Sequence, residues 1–364
     1  MIYLFITHQF MMGGVEKVFL NIASQLNDRK IYLLPTCQNY NQDLLAQIPS
    51  NVSLIENNRF RIDGIASLGN LFLLARQVNK KFADISEDLC CVNFSDTFST
   101  FLLSLLINAG RHICWCHSNP RMVYKETRFY SFYKKLFCRF DAIVCLCETQ
   151  KKEFCRLFGN EHGPRIRICY NMTDLESIDK LKQETVTYQK EYIVMIARFD
   201  TRSKDFYTLI DAYSNLDDDL KDRYTLVLVG DGPDLLEIQR YAGHLGEQNN
   251  IHFAGLQSNP YKWMSKAAVF VLSSKWEGFS LVITEALACG CAVISSDCIC
   301  GPKDILCNGK YGLLFEVGNE KELKECLEKM LTDDELRHKF QQNARKRVEQ
   351  INKQSLKALK SIIH

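Results

Sequence analysis

Short runs of branched apolar residues alternate with helix-length stretches from one end of the chain to the other, and this alternation leaves few folds open. Strand-like runs fall near 1–7, 31–35, 88–93, 112–116, 142–146 and 166–169, with helical stretches near 14–27, 69–82, 98–108, 127–138 and 148–158 between them. A second series begins at Tyr192-Ile193-Val194-Met195-Ile196, passes through Tyr224 to Val229, and continues near 250–253, 268–272, 291–295 and 312–315. Strands that are apolar on both faces suit a buried parallel sheet. Their alternation with helices predicts the doubly wound α/β class. A chain of 364 residues exceeds what one core supports, so two domains are expected. Residues 174–190 are polar and lack apolar periodicity, the mark of a linker. The expected division is a first domain at 1–178, a linker at 179–190, a second domain at 191–345, and a C-terminal helix at 346–364 that packs back on the first domain. Two such domains in tandem create a crevice outside the carboxyl ends of their strands, where ligands of this fold class bind.

Within that frame one stretch carries most of the chemistry: Trp276-Glu277-Gly278-Phe279-Ser280-Leu281-Val282-Ile283-Thr284-Glu285-Ala286. It follows the buried strand Ala268 to Leu272 and runs into a helical pattern that stops at Gly290. Glu277 therefore sits at a strand end and Glu285 on the helix that follows. The amides of Gly278, Phe279, Ser280 and Leu281 lie at the helix N-terminus, where unpaired N–H groups and the helix dipole favour an anion. Two hydroxyl acceptors flanking an anion-binding turn match ribose, diphosphate and hexose in a row. Taken singly, Glu277 reads as a cap and Glu285 as a solvated helix residue, since charged residues are mostly exposed. The cations nearby change the balance: Ile196-Ala197-Arg198 closes the first strand of the second half, and Lys204 follows six residues later. Arginine offers a planar fork for phosphate oxygens and lysine a mobile point charge, so the pair could neutralise a diphosphate without a metal ion.

These residues resemble the retaining glycosyltransferases of the GT-B fold, the glycosyl-transfer group 1 family (glycosyltransferase family 4 type). The resemblance rests on Ala197-Arg198-Phe199 with Lys204-Asp205, on Val229-Gly230-Asp231-Gly232-Pro233, and on the Glu277-to-Glu285 element. In the first half it rests on Gly13-Gly14-Val15-Glu16-Lys17, on His117 at a strand end, and on Asn171 before the linker. It implies two Rossmann-like doubly wound domains facing a central cleft, the first binding acceptor and the second a nucleotide diphosphate sugar, with UDP the expected nucleotide because it is the commonest in the family. By position, Arg198 and Lys204 would hold the donor diphosphate and stabilise the leaving group, Glu285 would accept from the ribose hydroxyls, and Glu277 would contact the transferred sugar. Leu256 would lie beside the base, and His117 near C6 of the sugar. Gly13 and Gly14 would bring the first loop close to phosphate, since glycine tolerates positive φ and has no side chain. Retention of anomeric configuration, with no cofactor, is likewise implied by the family. Ala197 stands where the family commonly has Gly, and Cys147 where it has Ser, both small for small.

The rest of the sequence bounds that reading. A net charge of +2 argues against a dedicated nucleic-acid binder, and no window reaches the apolar length of a membrane span. The opening Met1-Ile2-Tyr3-Leu4-Phe5-Ile6 reads as a first strand and is too short for a signal peptide. Of sixteen cysteines, the Cys-x-Cys pairs at 114/116 and 145/147 fall in strand-like runs, where cysteine serves as a small hydrophobe. Structural thiols in a reducing cytoplasm are expected, with the sequons at Asn51, Asn93 and Asn171 unused. Asp217-Asp218-Asp219 follows a helical stretch and reads as a solvated loop or helix cap, so no metal requirement is expected. Residues 111–139 hold seven Lys or Arg against one Glu, interleaved with aromatics. They read either as an amphipathic core helix with a wet basic face or as a contact with an anionic membrane surface, the second by analogy with relatives that extend glycans on lipid diphosphates. The expected activity is transfer of a hexose or N-acetylhexosamine to a glycan or lipid-linked oligosaccharide in bacterial-type surface polysaccharide synthesis, inside the cell and peripheral to the membrane. A sugar-nucleotide epimerase of the same fold, or a catalytically silent glycan- or partner-binding subunit, are the alternatives. Slow donor hydrolysis, an isomerised donor or no reaction would separate the three.

Overall fold

Thirteen strands, paired in parallel throughout, form two separate sheets in the computed structural model. It describes residues 1–363 apart from 12, 39, 58, 61, 63–67, 126–129 and 248. The first sheet has the order β3-β2-β1-β4-β5-β6-β7, built from β1 (Ile2–Thr7), β2 (Ile31–Pro35), β3 (Val52–Leu54), β4 (Leu89–Asn93), β5 (Arg111–Trp115), β6 (Ala142–Cys145) and β7 (Ile166–Ile168). The second has the order β10-β9-β8-β11-β12-β13, from β8 (Glu191–Ile196), β9 (Tyr224–Val229), β10 (Ile251–Gly255), β11 (Val269–Leu272), β12 (Val293–Ser296) and β13 (Leu313–Phe315). The strand order reverses between β1 and β4 in one sheet and between β8 and β11 in the other, which is where α/β folds bind ligands.

The first unit comprises Met1–Met172 together with the residues from Gln354 onward, and the second comprises Thr173–Lys353. In the first, α1 (Gly14–Gln25), α2 (Gln42–Leu45), α3 (Leu68–Lys81), α4 (Phe98–Leu106), α5 (Tyr130–Phe137) and α6 (Glu148–Phe158) connect the strands. Leu71, Leu74 and Val78 of α3 pack with Leu103 and Ile107 near α4 over Leu4, Ile6 and Cys91 of the sheet. The other flank of α4, at Phe101 and Leu105, packs with Tyr133, Phe137 and Phe154 over Cys114, Cys116 and Cys145. These thiols fill the core as small apolar groups, and all sixteen cysteines are free. Part of the basic stretch, including Arg128 and Phe129, lies outside the described residues.

The second unit is served by α7 (Leu175–Leu181), α8 (Phe206–Ser214), α9 (Asp218–Arg223), α10 (Leu235–His244), α11 (Tyr261–Lys266), α12 (Leu281–Ala288), α13 (Pro302–Ile305), α14 (Glu320–Thr332) and α15 (Asp334–Ile363). Two differences from the sequence expectation stand out. Residues 175–181, inside the stretch read as linker, form α7, whose N-cap Asp174 accepts the Ser177 N–H at 3.0 Å. The short edge strand β3 escaped notice because Val52 is its only buried residue. The end of α15 belongs to the first unit, where Tyr3 Oη donates to the Ile363 carbonyl at 2.8 Å and Cys169 Sγ to that of Ser355 at 3.6 Å. Asp217 sits at the N-cap position of α9 with Asp218 and Asp219 in its first turn, all exposed.

Candidate active site

The residues singled out in the second half lie at the carboxyl ends of β8, β10 and β11 or on the helix after them. Beyond Ile196 the chain leaves β8 as Ala197-Arg198-Phe199. Phe199 is buried and stacked on Phe206 with ring centroids 4.4 Å apart, which anchors the loop and leaves Arg198 exposed beside it. The exit from β9 runs alongside: the Ala197 N–H donates to the Val229 carbonyl and the Phe199 N–H to that of Asp231, both at 3.0 Å. That closeness dictates Gly230 and Gly232. A β-carbon on Gly230 would stand 2.0 Å from the Ala197 oxygen, and one on Gly232 2.4 Å from that of Phe199. Asp234 holds the next turn, accepting from the Thr201 N–H at 2.7 Å and its hydroxyl at 2.8 Å, bonds that keep its carboxyl below the usual range. Arg202 grips Asp200 at 2.8 and 2.6 Å, lowering that carboxyl too.

Lys204 closes this loop by bridging to Ser274, just past β11. Its ammonium forms an ion pair with Glu277 Oε1, and the Ser274 hydroxyl donates to the same oxygen at 2.8 Å. Both side chains are mostly shielded, at 17% and 12% exposure. The structure thus joins two residues assigned separately from sequence, one to phosphate and one to sugar. Between Glu277 and α12 the chain passes through Ser280 in the left-handed region, φ 72° and ψ 71°. Its hydroxyl is buried without a hydrogen-bond partner among the described residues. Phe279 is buried, so a ligand contact there runs through its backbone, as at Gly278. Gly301 (φ +96°) presses on the same turn, since a β-carbon there would stand 2.3 Å from the Phe279 oxygen. At the far side of the turn, buried Glu285 accepts from Tyr261 Oη at 2.9 Å, and Thr284 bonds Thr173 at 2.8 Å. Leu256 follows Gly255 (φ +67°) and is 77% exposed, a large apolar side chain left uncovered at the end of β10.

In the first unit the glycine turn needs a correction. Gly13 has φ −168°, extended backbone open to any residue, and Gly14 is the first residue of α1. What excludes a side chain is proximity: a β-carbon on Gly13 would lie 2.5 Å from Glu16 Oε2. That carboxylate is buried, which raises its pKa, and it accepts from its own backbone N–H and from that of Met11, ahead of α1. His117 is buried at the exit from β5, its ring edge-on to Phe94 at 4.3 Å and its Nε2 without a partner among the described residues. Burial pushes its pKa down to about 3, so the imidazole is neutral. Asp96 holds the same loop, accepting from the His117 N–H at 3.1 Å and Tyr124 Oη at 3.0 Å, and burial raises its pKa. Gln150 secures the other flank through the Cys116 and Ser118 carbonyls at 3.2 and 2.8 Å. Sequence reasoning missed Asp96, Tyr124, Gln150 and Tyr261. Their partners are 21 to 34 residues away, and no local pattern signals them.

Comparison with known proteins covers both units of the chain. The sequence model of Glycosyl transferases group 1 matches residues 177–347, and that of Glycosyltransferase Family 4 matches 12–177. The chain is 27% identical over 358 residues to the N-acetylgalactosamine-N,N'-diacetylbacillosaminyl-diphospho-undecaprenol 4-alpha-N-acetylgalactosaminyltransferase of Campylobacter jejuni, covering 94% of this chain and 93% of that one. It is 24% identical to a second Campylobacter jejuni protein, GalNAc-alpha-(1->4)-GalNAc-alpha-(1->3)-diNAcBac-PP-undecaprenol alpha-1,4-N-acetyl-D-galactosaminyltransferase, over 92% of this chain and 90% of the other. Among solved structures, Anabaena HepE in complex with UDP and glucose shares the fold with a TM-score of 0.80 at 21% identity, covering 99% of this chain and 100% of that one. With both family models matched end to end over residues 12–347, the chain is a glycosyltransferase and belongs to the group 1, family 4 type, with the GT-B fold.

Proposed function

We propose that this enzyme transfers an N-acetylhexosamine, with retention and without a metal ion, from a UDP-sugar to a polyprenyl-diphosphate-linked oligosaccharide at the inner face of the cell membrane. The observation that carries the reading is the convergence at the β8/β11 switch point. Arg198, the Lys204–Glu277 pair, the Ser280 turn and Glu285 occupy one strand-end neighbourhood of the second unit. The sugar and acceptor classes are supported by the two Campylobacter relatives, whose names specify both. The roles read from sequence for His117, Gly13, Gly14 and Leu256 belong to the same proposal, as does membrane contact through 111–139.

The chemistry this arrangement can perform is electrostatic. As the bond from the sugar C1 to the β-phosphate oxygen breaks, negative charge grows on that oxygen. Arg198, Lys204 and the first turn of α12 oppose it, and one such contact is worth roughly 10²–10³ in rate. Glu277, pinned by Lys204 and Ser274, is preorganised to accept from sugar hydroxyls without moving. The acceptor oxygen bonds C1 on the face the phosphate leaves, and its proton passes to the departing phosphate oxygen. No protein nucleophile is needed, unlike the paired carboxylates of retaining hydrolases.

Three measurements test this. UDP should raise the melting temperature well above any effect of GDP or ADP, because a ligand bound only by the native state stabilises it. UDP-N-acetylgalactosamine with a polyprenyl-diphosphate-linked acceptor should give product in excess chelator. Proton couplings at the new linkage should show the donor's α configuration. Stabilisation by GDP or ADP alone, a strict metal requirement or a β product would each overturn the part it addresses.

A further inference from the structure

The hydroxyl of Ser296, the last residue of β12, is spent on the backbone of the neighbouring strand's exit. The β11–β12 ladder ends at Leu272 and Ser295. Beyond it the Ser274 N–H donates to Ser296 Oγ at 3.0 Å, and the same hydroxyl donates to the Ser274 carbonyl at 2.8 Å. One side chain thus serves both peptide groups of Ser274, where a further ladder rung would have used the backbone of β12. Both serines are buried. A buried polar group left without a partner is costly, so the hydroxyl and the two peptide groups fix one another.

The residues flanking Ser274 turn to the Lys204 loop instead. The Asp205 N–H donates to the Ser273 carbonyl at 3.0 Å, and the Lys275 N–H to that of Ser203 at 2.8 Å. Ser274 is therefore held by β12 on one side and by the Lys204 loop on the other. Its own hydroxyl donates to Glu277 Oε1 at 2.8 Å, the oxygen that Lys204 also takes. Two donors on Oε1 leave Oε2, which accepts no hydrogen bond among the described residues, to a ligand. The structure assigns Ser296 as a positioning residue for sugar transfer, acting through Ser274. It sets the Glu277 carboxylate against Lys204 by one oxygen and leaves the other for a sugar hydroxyl. A contact of this kind must hold to within about 0.5 Å to be productive, and a strand end supplies that precision better than a loop does. The assignment rests on the reading of Glu277 as a contact to the transferred sugar, and it adds what holds that carboxylate in place.

The test is a double-mutant cycle between K204M and E277Q, read from denaturant melts of the full chain in the wild-type and S296A backgrounds. The two changes should couple in the wild-type background. In the S296A background the coupling should be largely lost, and S274A should have the same effect. A hydroxyl that served folding alone would lower stability yet leave the coupling intact. Calorimetric titration gives the second readout. S296A should weaken binding of UDP-N-acetylgalactosamine at least about fivefold, the scale of one hydrogen bond, while UDP, which presents no sugar, binds as it does to wild type. S274A/S296A should be no worse than either single change, because both act on one carboxylate. Full coupling in the S296A background, or equal loss of affinity for UDP and for UDP-N-acetylgalactosamine, would overturn the assignment. A wild type that binds no UDP-sugar, with the coupling still lost in S296A, would uphold the two-serine relay and end the donor reading instead.

Discussion

At the level of single residues, the site is held by pairs whose members depend on one another. Lys204 and Glu277 shield each other from an otherwise costly desolvation, so removing one leaves the other as a largely buried, unpaired charge. Losses on that account run to about 3 kcal/mol. Lys204→Met and Glu277→Gln should therefore each lower stability, while the double variant costs clearly less than the sum, a coupling that denaturant melts of the four proteins would read. Turnover gives the second half of the cycle: Lys204→Ala and Glu285→Ala should each slow transfer at least about tenfold, the scale of one lost charge-assisted bond. Wild-type turnover in both would remove these residues from the site. Tyr261→Phe leaves Glu285 in place but takes away its 2.9 Å donor, and should weaken UDP binding with little change in kcat. His117 brings a pH signature. Its folded pKa, about 3, lies below the ordinary value, so between the two the unfolded chain binds the extra proton. Stability is therefore lost as pH falls from about 6.5 toward 3, and His117→Asn should flatten the melting curve over that acid range. Asp96, raised by burial, acts in the opposite sense and is unaffected by that change. At this scale the sequence was most legible where spacing alone determines placement. Glu277 and Glu285 had to flank a helix start, but nothing local could reveal that Glu277 spends one oxygen on Lys204 and Ser274.

Elements carry a different kind of information, because strand exits impose backbone constraints that a sequence displays as glycine. Gly230, Gly232 and Gly301 are required by carbonyl oxygens of neighbouring exits lying 2.0, 2.4 and 2.3 Å from where a β-carbon would stand. Backbone cannot retreat as a side-chain tip can. Gly230→Ala and Gly301→Ala should therefore displace the Arg198 loop and the Phe279 turn, respectively, weakening UDP binding at least about tenfold while the rest of the unit still folds; calorimetric titration would show it. Ser280 is the converse case, a non-glycine residue held at φ 72° at a cost of roughly 1 kcal/mol. Ser280→Gly should raise the melting temperature, and Ser280→Ala should not, so the pair separates backbone strain from loss of the hydroxyl. The same scale explains what escaped sequence reading. The strands β8 and β9 are legible because four consecutive residues of β8 and all six of β9 are buried. The helix α7 was read as linker because only Ile178 among its seven residues is buried, leaving no periodicity to detect. The turn at Gly13 was located correctly, but its reason is the Glu16 carboxylate and not a left-handed backbone.

For the molecule as a whole, the chain's path couples the first unit to the chain's last residues. Leu359, Ile362 and Ile363 are buried, and Tyr3 in β1 donates to the Ile363 carbonyl. Fully burying side chains of this kind is worth roughly 1.5–3 kcal/mol each, so these three account for a large share of the 5–15 kcal/mol by which a domain is ordinarily stable. The second unit ends at Lys353 and holds its own sheet, ion pair and turn without them. A chain cut after Lys353 should therefore show a first-unit transition at much lower temperature in calorimetry, while its second unit melts as before. UDP identifies which transition is which: at 100 times its dissociation constant a ligand adds about 2.7 kcal/mol to the unit that binds it and nothing to the other. In the truncated chain UDP should raise only the higher transition, with an affinity close to that of the full protein, whereas transfer to acceptor is lost. If UDP instead moved the lower transition, or if truncation abolished UDP binding, the nucleotide site could not be confined to the residues at the exits of β8, β10 and β11.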